Sequence, residues 1–141
     1  MGGGSAGADD GAGGTDFFYR VIDRATGAVV VRETTLTSTT SSVALVSVNG
    51  NAWALYNDAV GLKAKKFLGT DPTSTTTVSL DATATVFKIA AAYLNLAKFV
   101  VCWVKGSANT TLEMRTLDAS TGAVVDTAFY TTAGPSIQAI D

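Results

Sequence analysis

Three aspartates, Asp23, Asp71 and Asp118, recur along the chain at separations of 48 and 47 residues and have a type and spacing that could do chemistry. A carboxylate is a hard oxygen ligand of the kind that Ca²⁺ prefers, but a calcium loop places several such oxygens within one short segment. Each of these aspartates stands alone. An Asp side chain also accepts hydrogen bonds from the backbone two residues further on and so stabilises a turn. We therefore expect three turns and no metal ligand.

Glu33, Asp58 and Glu113 are the carboxylates that could pair across a cleft for glycoside hydrolysis. No local motif brings any two of them together. The sequence has no histidine and a single cysteine, which excludes Ser-His-Asp and Cys-His arrangements and nitrogen or sulfur metal clusters within the chain. We predict no catalytic residue, no cofactor-binding residue and a protein that is not an enzyme.

The remaining reactive side chains also have plain structural interpretations. Cys102 lies in the apolar run 99–104 and is expected to be a small core residue, because a reactive thiol needs a basic and partly exposed setting. Lys63, Lys65 and Lys66 form a basic cluster that could touch a phosphate or an acidic partner. We favour lysines whose stems cover a strand face. The net charge of −2 offers no basic surface for nucleic-acid recognition.

The elements that position these residues are predicted to be strands. Hydrophobic residues make up 47% and charged residues 16% of 141 residues, and Thr, Ser, Val, Ala and Gly dominate, which favours strands and turns. Residues 1–16 are predicted to be a flexible Gly-rich lead-in, and residues 17–141 a β-repeat domain. Segment 86–104 is apolar but carries Lys88 and Lys98, so it is interpreted as a pair of buried strands and not a membrane span. Its Ala90-Ala91-Ala92 could equally be helical.

Residues 22–30 and 117–125 are two similar copies of one segment, 95 residues apart, and a weaker copy lies around Asp71, halfway between them. In each copy, Asp favours a turn and Gly supplies a positive φ at no steric cost. The expected structural turn residues are Asp23, Thr26 and Gly27 in the first copy, Asp71 in the second, and Asp118, Thr121 and Gly122 in the third.

Alternating residues bounded by turns predict antiparallel strands over 17–22, 28–35, 99–105, 111–117 and 123–129. With Asn49-Gly50 as a further hairpin turn, the layout is four strands per unit of about 47 residues. One unit contributes its last two strands, and the others occupy about 43–80 and 85–129, while 136–140 could begin another. Alignment on the aspartates makes Tyr19, Phe67 and Met114 equivalent core positions. Trp53 and Trp103 are likewise expected to be buried at equivalent positions of adjacent sheets.

Four-strand units of this length, with the Asp-x-x-Thr-Gly turn at Asp23 and Asp118, resemble β-propeller blades of the quinoprotein-like type. The resemblance covers about residues 17–135 and implies an all-β fold of antiparallel blade-like sheets in an incomplete ring. The tryptophan that such blades usually carry after the turn is missing from 29–31 and 124–126, so no cofactor is implied. Phage tail proteins of the nozzle type are similar in carrying propeller-like domains.

The resemblance and the unpaired edge strands that an incomplete ring would leave predict a structural or assembly protein. The expected partners are other protein chains, through self-assembly or heterologous assembly, and the expected location is the virion, as a phage tail component completed by neighbouring chains. The alternative is a carbohydrate- or protein-binding propeller module, in which exposed aromatic residues would form the platform. The burial of Trp53 and Trp103 distinguishes the two hypotheses.

Overall fold

A computed structural model describes residues 17–37, 42–71, 73–82, 86–106, 110–126 and 130–133, and these ranges contain strands and turns but no helix. The all-β fold predicted from composition is therefore confirmed. The strands are β1 (Phe17–Ile22), β2 (Val29–Thr37), β3 (Val43–Val48), β4 (Asn51–Asn57), β5 (Leu62–Phe67), β6 (Thr75–Asp81), β7 (Val86–Asn95), β8 (Lys98–Lys105), β9 (Thr111–Asp118) and β10 (Tyr130–Ala133).

The strands form three antiparallel units. β1 and β2 pair as a two-stranded ribbon, which we call the N-terminal hairpin. The first sheet has the order β3-β4-β5-β6 and the second sheet the order β7-β8-β9-β10, so each is a four-stranded meander of sequential neighbours. Within the described ranges the three units do not close into a ring. Segments 1–16 and 136–140 lie outside the described residues.

Local sequence explains the tightest connection, and strand pairing explains the segment with helical potential. Asn49 and Gly50 have φ values of 49° and 72°, which both central positions of a type I′ hairpin turn require. The segment with helical potential is a strand, because Ala90-Ala91-Ala92 pairs residue by residue with 100–102 of β8. Pairing with an apolar neighbouring strand outweighs the helical propensity of alanine. No helix that could cross a membrane occurs in the described part of the chain.

The predicted strand over 123–129 is not found in its described part, 123–126. Val124 makes only an isolated bridge with Leu117, residues 125–126 are not in a strand, and 127–129 lie outside the described residues. The strand that pairs with β9 is β10, in which Tyr130 lies opposite Met114. β-branched composition marked the segment as extended, but the pairing partner decides where a ladder forms.

The two four-stranded sheets pack face to face, with their first strands β3 and β7 lying beside each other. The backbone amide of Ile89 donates to the hydroxyl of Ser42, just before β3, at 3.2 Å. The face of each sheet that meets the other is called its inner face, and the opposite face its outer face. The core between them consists of Val46, Val48, Trp53, Leu55, Leu62 and Ala64 from the first sheet and Val86, Ile89, Phe99, Val101, Trp103, Leu117 and Ala119 from the second.

Candidate functional site

The turn that follows β9 is organised around one carboxylate oxygen. Oδ1 of Asp118 accepts hydrogen bonds from the amide and hydroxyl of Ser120, at 2.9 and 2.6 Å, and from the amide and hydroxyl of Thr121, at 2.8 and 2.9 Å. These donors, the Ser120 hydroxyl foremost, lower the pKa of Asp118 to about 2. Gly122 completes the turn with a φ of 75° and donates its amide to the Asp118 carbonyl.

The turn that follows β1 has the same construction. Oδ1 of Asp23 accepts from the amides of Ala25 and Thr26 and from the Thr26 hydroxyl, at 2.9, 2.7 and 2.8 Å. Hydrogen bonding from Thr26, first through its amide, lowers the pKa of Asp23. Gly27 has a φ of 71°. The two turns thus share their geometry, as well as their sequence.

Asp71 lies in a different and longer loop. Its Oδ1 accepts from the amide and hydroxyl of Thr73, at 3.1 and 2.5 Å, and the hydroxyl bond is the main reason that its pKa is lowered. The loop is closed by the Leu68 amide, which donates to the Ser74 carbonyl at 3.4 Å, so Asp71 stands in the middle of the loop. Asp118, by contrast, itself makes the closing backbone bond, to Ala123 at 2.9 Å.

In all three turns the same carboxylate oxygen serves the turn itself. Each Oδ1 already accepts at least two hydrogen bonds from its own loop. Among the described residues no three His, Cys, Asp or Glu side chains come together in a way that could hold a metal ion. The geometry supports the interpretation of these aspartates as turn formers.

The Asp118 turn also contacts the first sheet. The indole Nε1 of Trp53 donates to the carbonyl oxygen of Ala119 at 3.2 Å, and Nζ of Lys66 donates to the carbonyl oxygen of Ser120. A Cβ atom on Gly122 would lie 2.6 Å from Cη2 of Trp53, closer than real contacts allow. Gly122 is therefore required both by its φ and by the approach of the tryptophan ring.

A charged cluster lies at the other end of the interface between the sheets. Nζ of Lys105 lies 2.7 Å from Oδ2 of Asp81 and 2.7 Å from Oε1 of Glu113. Nε1 of Trp103 also donates to Oδ2 of Asp81, at 3.2 Å. Since Asp81 belongs to β6 and the other three residues to β8 and β9, the cluster ties the first sheet to the second.

The protonation state of Lys105 follows from this setting. Partial burial acts to lower the pKa of Lys105, but hydrogen bonds to Asp81 and Glu113 and the charges of both carboxylates outweigh it and raise that pKa above its ordinary value. Glu113 is buried, and Nη2 of Arg115 lies 3.9 Å from its Oε2. Sequence reasoning had weighed Glu113 only as a hydrolytic acid and did not identify this cluster, because its members are brought together by packing of separate strands.

The two tryptophans are both fully buried, as predicted. They are not at equivalent positions, however. Ala52 lies opposite Phe67, and Trp53 is the next residue after Ala52. Phe99 lies opposite Leu117, but Trp103 comes four positions after Phe99. Phe67 and Leu117 form the last pair across the final turn of their sheets, with Thr75 and Val124 respectively. Because alternate residues point to opposite faces, Trp53 and Trp103 occupy opposite faces of the repeated unit and point toward each other's sheet.

This register also corrects the predicted equivalence of Phe67 with Tyr19 and Met114, while Tyr19 and Met114 remain equivalent, each three residues before the last pair, Ile22 or Leu117. Phe67 is 6% exposed but Met114 is 42% exposed. Asp71 stands four residues after the last paired residue, Phe67, whereas Asp118 directly follows Leu117. Alignment on the aspartates therefore shifts the register by three residues and exchanges the two faces. The strand ends are the correct reference.

When the strand ends are taken as the reference, each layer packs one face against the opposite, corresponding face of the next layer. The inner face of the first sheet carries Trp53, and the inner face of the second sheet corresponds to the outer face of the first, which carries Phe67. The N-terminal hairpin packs on part of that outer face, since the ring centroids of Tyr19 and Phe67 lie 4.8 Å apart, while Leu45 on the same face is exposed. Nζ of Lys65 lies 5.0 Å from the centroid of the Tyr19 ring, a cation–π distance. The N-terminal hairpin, the first sheet and the second sheet thus stack in that order with the same face of each layer pointing toward the next, an arrangement that we call head to tail.

The other residues singled out from the sequence are not brought together. Oδ1 of Asp58 accepts from the amides of Val60 and Gly61 in the turn between β4 and β5, at 2.8 and 2.9 Å, and Glu33 lies in β2, its side chain outside the described residues. Lys63 donates to the Ser79 hydroxyl at 3.0 Å. The three lysines of the basic cluster therefore contact their own sheet, the hairpin and the second sheet.

The outer face of the second sheet is apolar and partly exposed. Its described side chains include Val100, Cys102 and Val104 from β8, Leu112 and Met114 from β9, and Lys88, Ala90 and Ala92 from β7. Val104, at one end of this face, is fully buried, whereas Met114 is exposed. Cys102 is half-buried, and burial raises the pKa of its thiol. Sequence reasoning placed this cysteine in the core; the structure places it on a face that no described residue closes off completely.

Comparisons of this chain with protein-family models, with curated proteins and with solved structures found no match.

Proposed function

We propose that this protein is a non-enzymatic structural component that builds assemblies by stacking antiparallel sheets in one repeated sense, in the manner of β-propeller blades. The observation that carries the proposal is the difference between corresponding faces. Ala64 on the inner face of the first sheet is 0% exposed, and Met114 at the corresponding place on the second sheet is 42% exposed. The outer face of the second sheet carries the apolar residues of a covered layer, yet Val104 alone of its described apolar residues is fully buried, and Met114 is exposed.

The turns support the same proposal. The side chains of Asp23 and Asp118 accept hydrogen bonds from their own loops, so the repeated motif serves to reverse the chain between strands. A side chain used in this way shapes a sheet. This favours a repeat protein whose function lies in its surfaces.

The virion, and a phage tail in particular, is the setting that we propose for such a component. The chain has few charges and many Thr and Ser strand residues, and an exposed apolar sheet face suits a subunit held by neighbours. A carbohydrate-binding module would need aromatic residues on an open surface, and both tryptophans are buried. We therefore do not extend the proposal to sugar binding.

The native mass of the purified chain, measured by multi-angle light scattering at micromolar concentration, tests the proposal. An assembly that grows with protein concentration is expected, against 14.4 kDa for one chain. A folded monomer that unfolds cooperatively and stays monomeric across the concentration range would contradict it, because its apolar sheet face would then need no partner.

A further inference from the structure

We infer that the outer face of the second sheet is the docking surface for the N-terminal hairpin of a second copy of this chain, so that copies join head to tail. The inference rests on the proposed function and names its partner and its contact. It follows from the stacking rule that the three layers within one chain already obey.

The docking surface is identified by position. Counted back from the last paired residue of each sheet, Leu62 corresponds to Leu112 and Ala64 to Met114. Leu62 and Ala64 are 0% exposed because the second sheet covers them. Leu112 is half-buried and Met114 exposed. Positions that belong to the core in the first sheet therefore lie at the surface in the second sheet.

The second strand repeats this pattern. Leu55 lies opposite Ala64, and Cys102 lies opposite Met114, so the two are corresponding residues. Leu55 is fully buried, and Cys102 is half-buried. Lys98 stands on this face at one end of β8. An apolar centre with charged residues toward its rim is the usual anatomy of a protein interface.

The contacts between layers within the chain show which face of a second copy would fit the docking surface. The inner face of the first sheet packs on the face that holds Leu117, and Tyr19 of the hairpin packs on the face that holds Phe67. Both Leu117 and Phe67 directly precede the final turn of their units. The partner of the docking surface must therefore pack against it with the face that holds the residue directly before such a turn.

The hairpin presents that residue. Ile22 is the last residue of β1 to pair before the Asp23 turn, and it lies opposite Val29. The β1–β2 ladder has register shifts between Tyr19 and Ile22, but their extra residues lie in β2, where residues 34, 31 and 29 are opposite 19, 21 and 22. Alternation along β1 therefore points Ile22 away from the side on which Tyr19 contacts the first sheet. Val29 is 50% exposed, and no described sheet covers this side of the hairpin. One copy therefore offers both halves of the contact, at opposite ends of its stack.

The contact that results is heterologous, because the two surfaces differ. Heterologous contacts generate rings when the rotation closes and filaments when it does not. An isologous contact of two outer faces would break the stacking sense that the chain follows twice, and it would stop at a dimer. The two geometries make different predictions for single substitutions.

The test uses substitutions at exposed residues, one on each surface. Met114→Lys places a charge on the docking surface, Val29→Lys places one on the hairpin, and Val60→Lys is the matched control, at a residue that is 65% exposed on neither surface. Light scattering is expected to show loss of assembly for both Met114→Lys and Val29→Lys, with masses near that of one chain, and no change for Val60→Lys. Circular dichroism checks that each variant is folded.

Mixing the two monomeric variants separates head-to-tail docking from its alternatives. The Met114→Lys chain keeps an intact hairpin and the Val29→Lys chain an intact docking surface, so an equimolar mixture is expected to form a complex of two chains and stop there. If Met114→Lys disassembles the protein and Val29→Lys does not, the contact is isologous or involves another partner, and the inference is wrong while the proposed function stands.

The single cysteine gives a readout that needs no variant. Cys102 lies on the docking surface, so its rate of reaction with a thiol reagent should fall as rising protein concentration drives assembly. An unchanged rate in an assembled sample would place the contact elsewhere and overturn the inference. A wild-type chain that never assembles would instead contradict the proposed function.

Discussion

The indole nitrogen of Trp53 in β4 lies 3.2 Å from the carbonyl oxygen of Ala119, in the turn that follows β9. The hydrogen bond joins residues 66 positions apart and connects the centre of one sheet to the end of the other. It satisfies a buried indole N–H, which an apolar core would otherwise leave unpaired. The turn motif that shapes each hairpin therefore also fixes how the sheets are stacked.

Trp53→Phe is expected to lower the free energy of unfolding by about 1–3 kcal/mol, because it removes this bond and leaves a small cavity. Trp103→Phe is the matched comparison and should cost less. Its indole donates to Oδ2 of Asp81, which also accepts from Lys105 at 2.7 Å and so keeps a partner. Urea unfolding of the two variants measures the difference. An equal or larger loss for Trp103→Phe would show that the Ala119 bond is not the stronger tie.

Gly122→Ala is expected to destabilise the protein by about 2–4 kcal/mol, the sum of a left-handed φ and overpacking against the tryptophan. The φ is 75°, and the new Cβ would lie 2.6 Å from Cη2 of Trp53. Gly27→Ala is the control, since Gly27 has a φ of 71° but a Cβ added there would meet nothing within 4 Å. It should cost only about 1 kcal/mol. Similar losses for both variants would mean that the tryptophan ring moves aside freely.

Asp118→Ala is expected to lower the melting temperature at neutral pH, because the turn loses the acceptor of four hydrogen bonds. Hydrogen bonding holds the pKa of Asp118 at about 2, below its ordinary 3.8. A lowered pKa means that the stabilisation is present above the ordinary pKa and is lost as the pH falls through about 2. The gap between wild type and variant should therefore narrow in acid. Thermal unfolding followed by circular dichroism measures it, with Asp126→Ala as the control; a gap independent of pH would contradict the prediction.

Lys105→Met is expected to cost about 3 kcal/mol, since it leaves the carboxylates of Asp81 and Glu113 without their shared cation at a partly buried site. Lys63→Met is the control. Lys63 donates to the Ser79 hydroxyl within its own sheet, so its replacement should change the free energy of unfolding by about 0.5 kcal/mol or less. Urea denaturation at neutral pH compares the two. Equal effects would show that the charged cluster does not hold the sheets together.

The same cluster should respond to alkali. The pKa of Lys105 is raised above its ordinary 10.5, so its contribution is complete below 10.5 and is lost as the pH rises through the higher folded value. Wild type should therefore lose stability in strong alkali by an amount that Lys105→Met does not show. A parallel decline of the two proteins would contradict the assignment.

Local features of this protein could be predicted from the sequence because they depend on near neighbours. Asp23 and Asp118 form their turns with donors two and three residues away, and the Asn49-Gly50 hairpin needs only two residues with positive φ. The strand character of 17–22, 28–35, 99–105 and 111–117 likewise follows from alternation and β-branched composition. These choices need no knowledge of what packs where.

The sequence also determined that Trp53 and Trp103 would be buried, because large apolar side chains in apolar strands leave water wherever the fold permits it. Only the tertiary structure decided that they face each other from opposite faces of the repeated unit. That outcome depends on where each ladder ends, and a loop that is three residues longer exchanges the faces of a strand without changing its composition. For the same reason Met114 is exposed where Ala64 is buried, and Lys105 meets Asp81 across two sheets: both depend on pairing and stacking between distant segments.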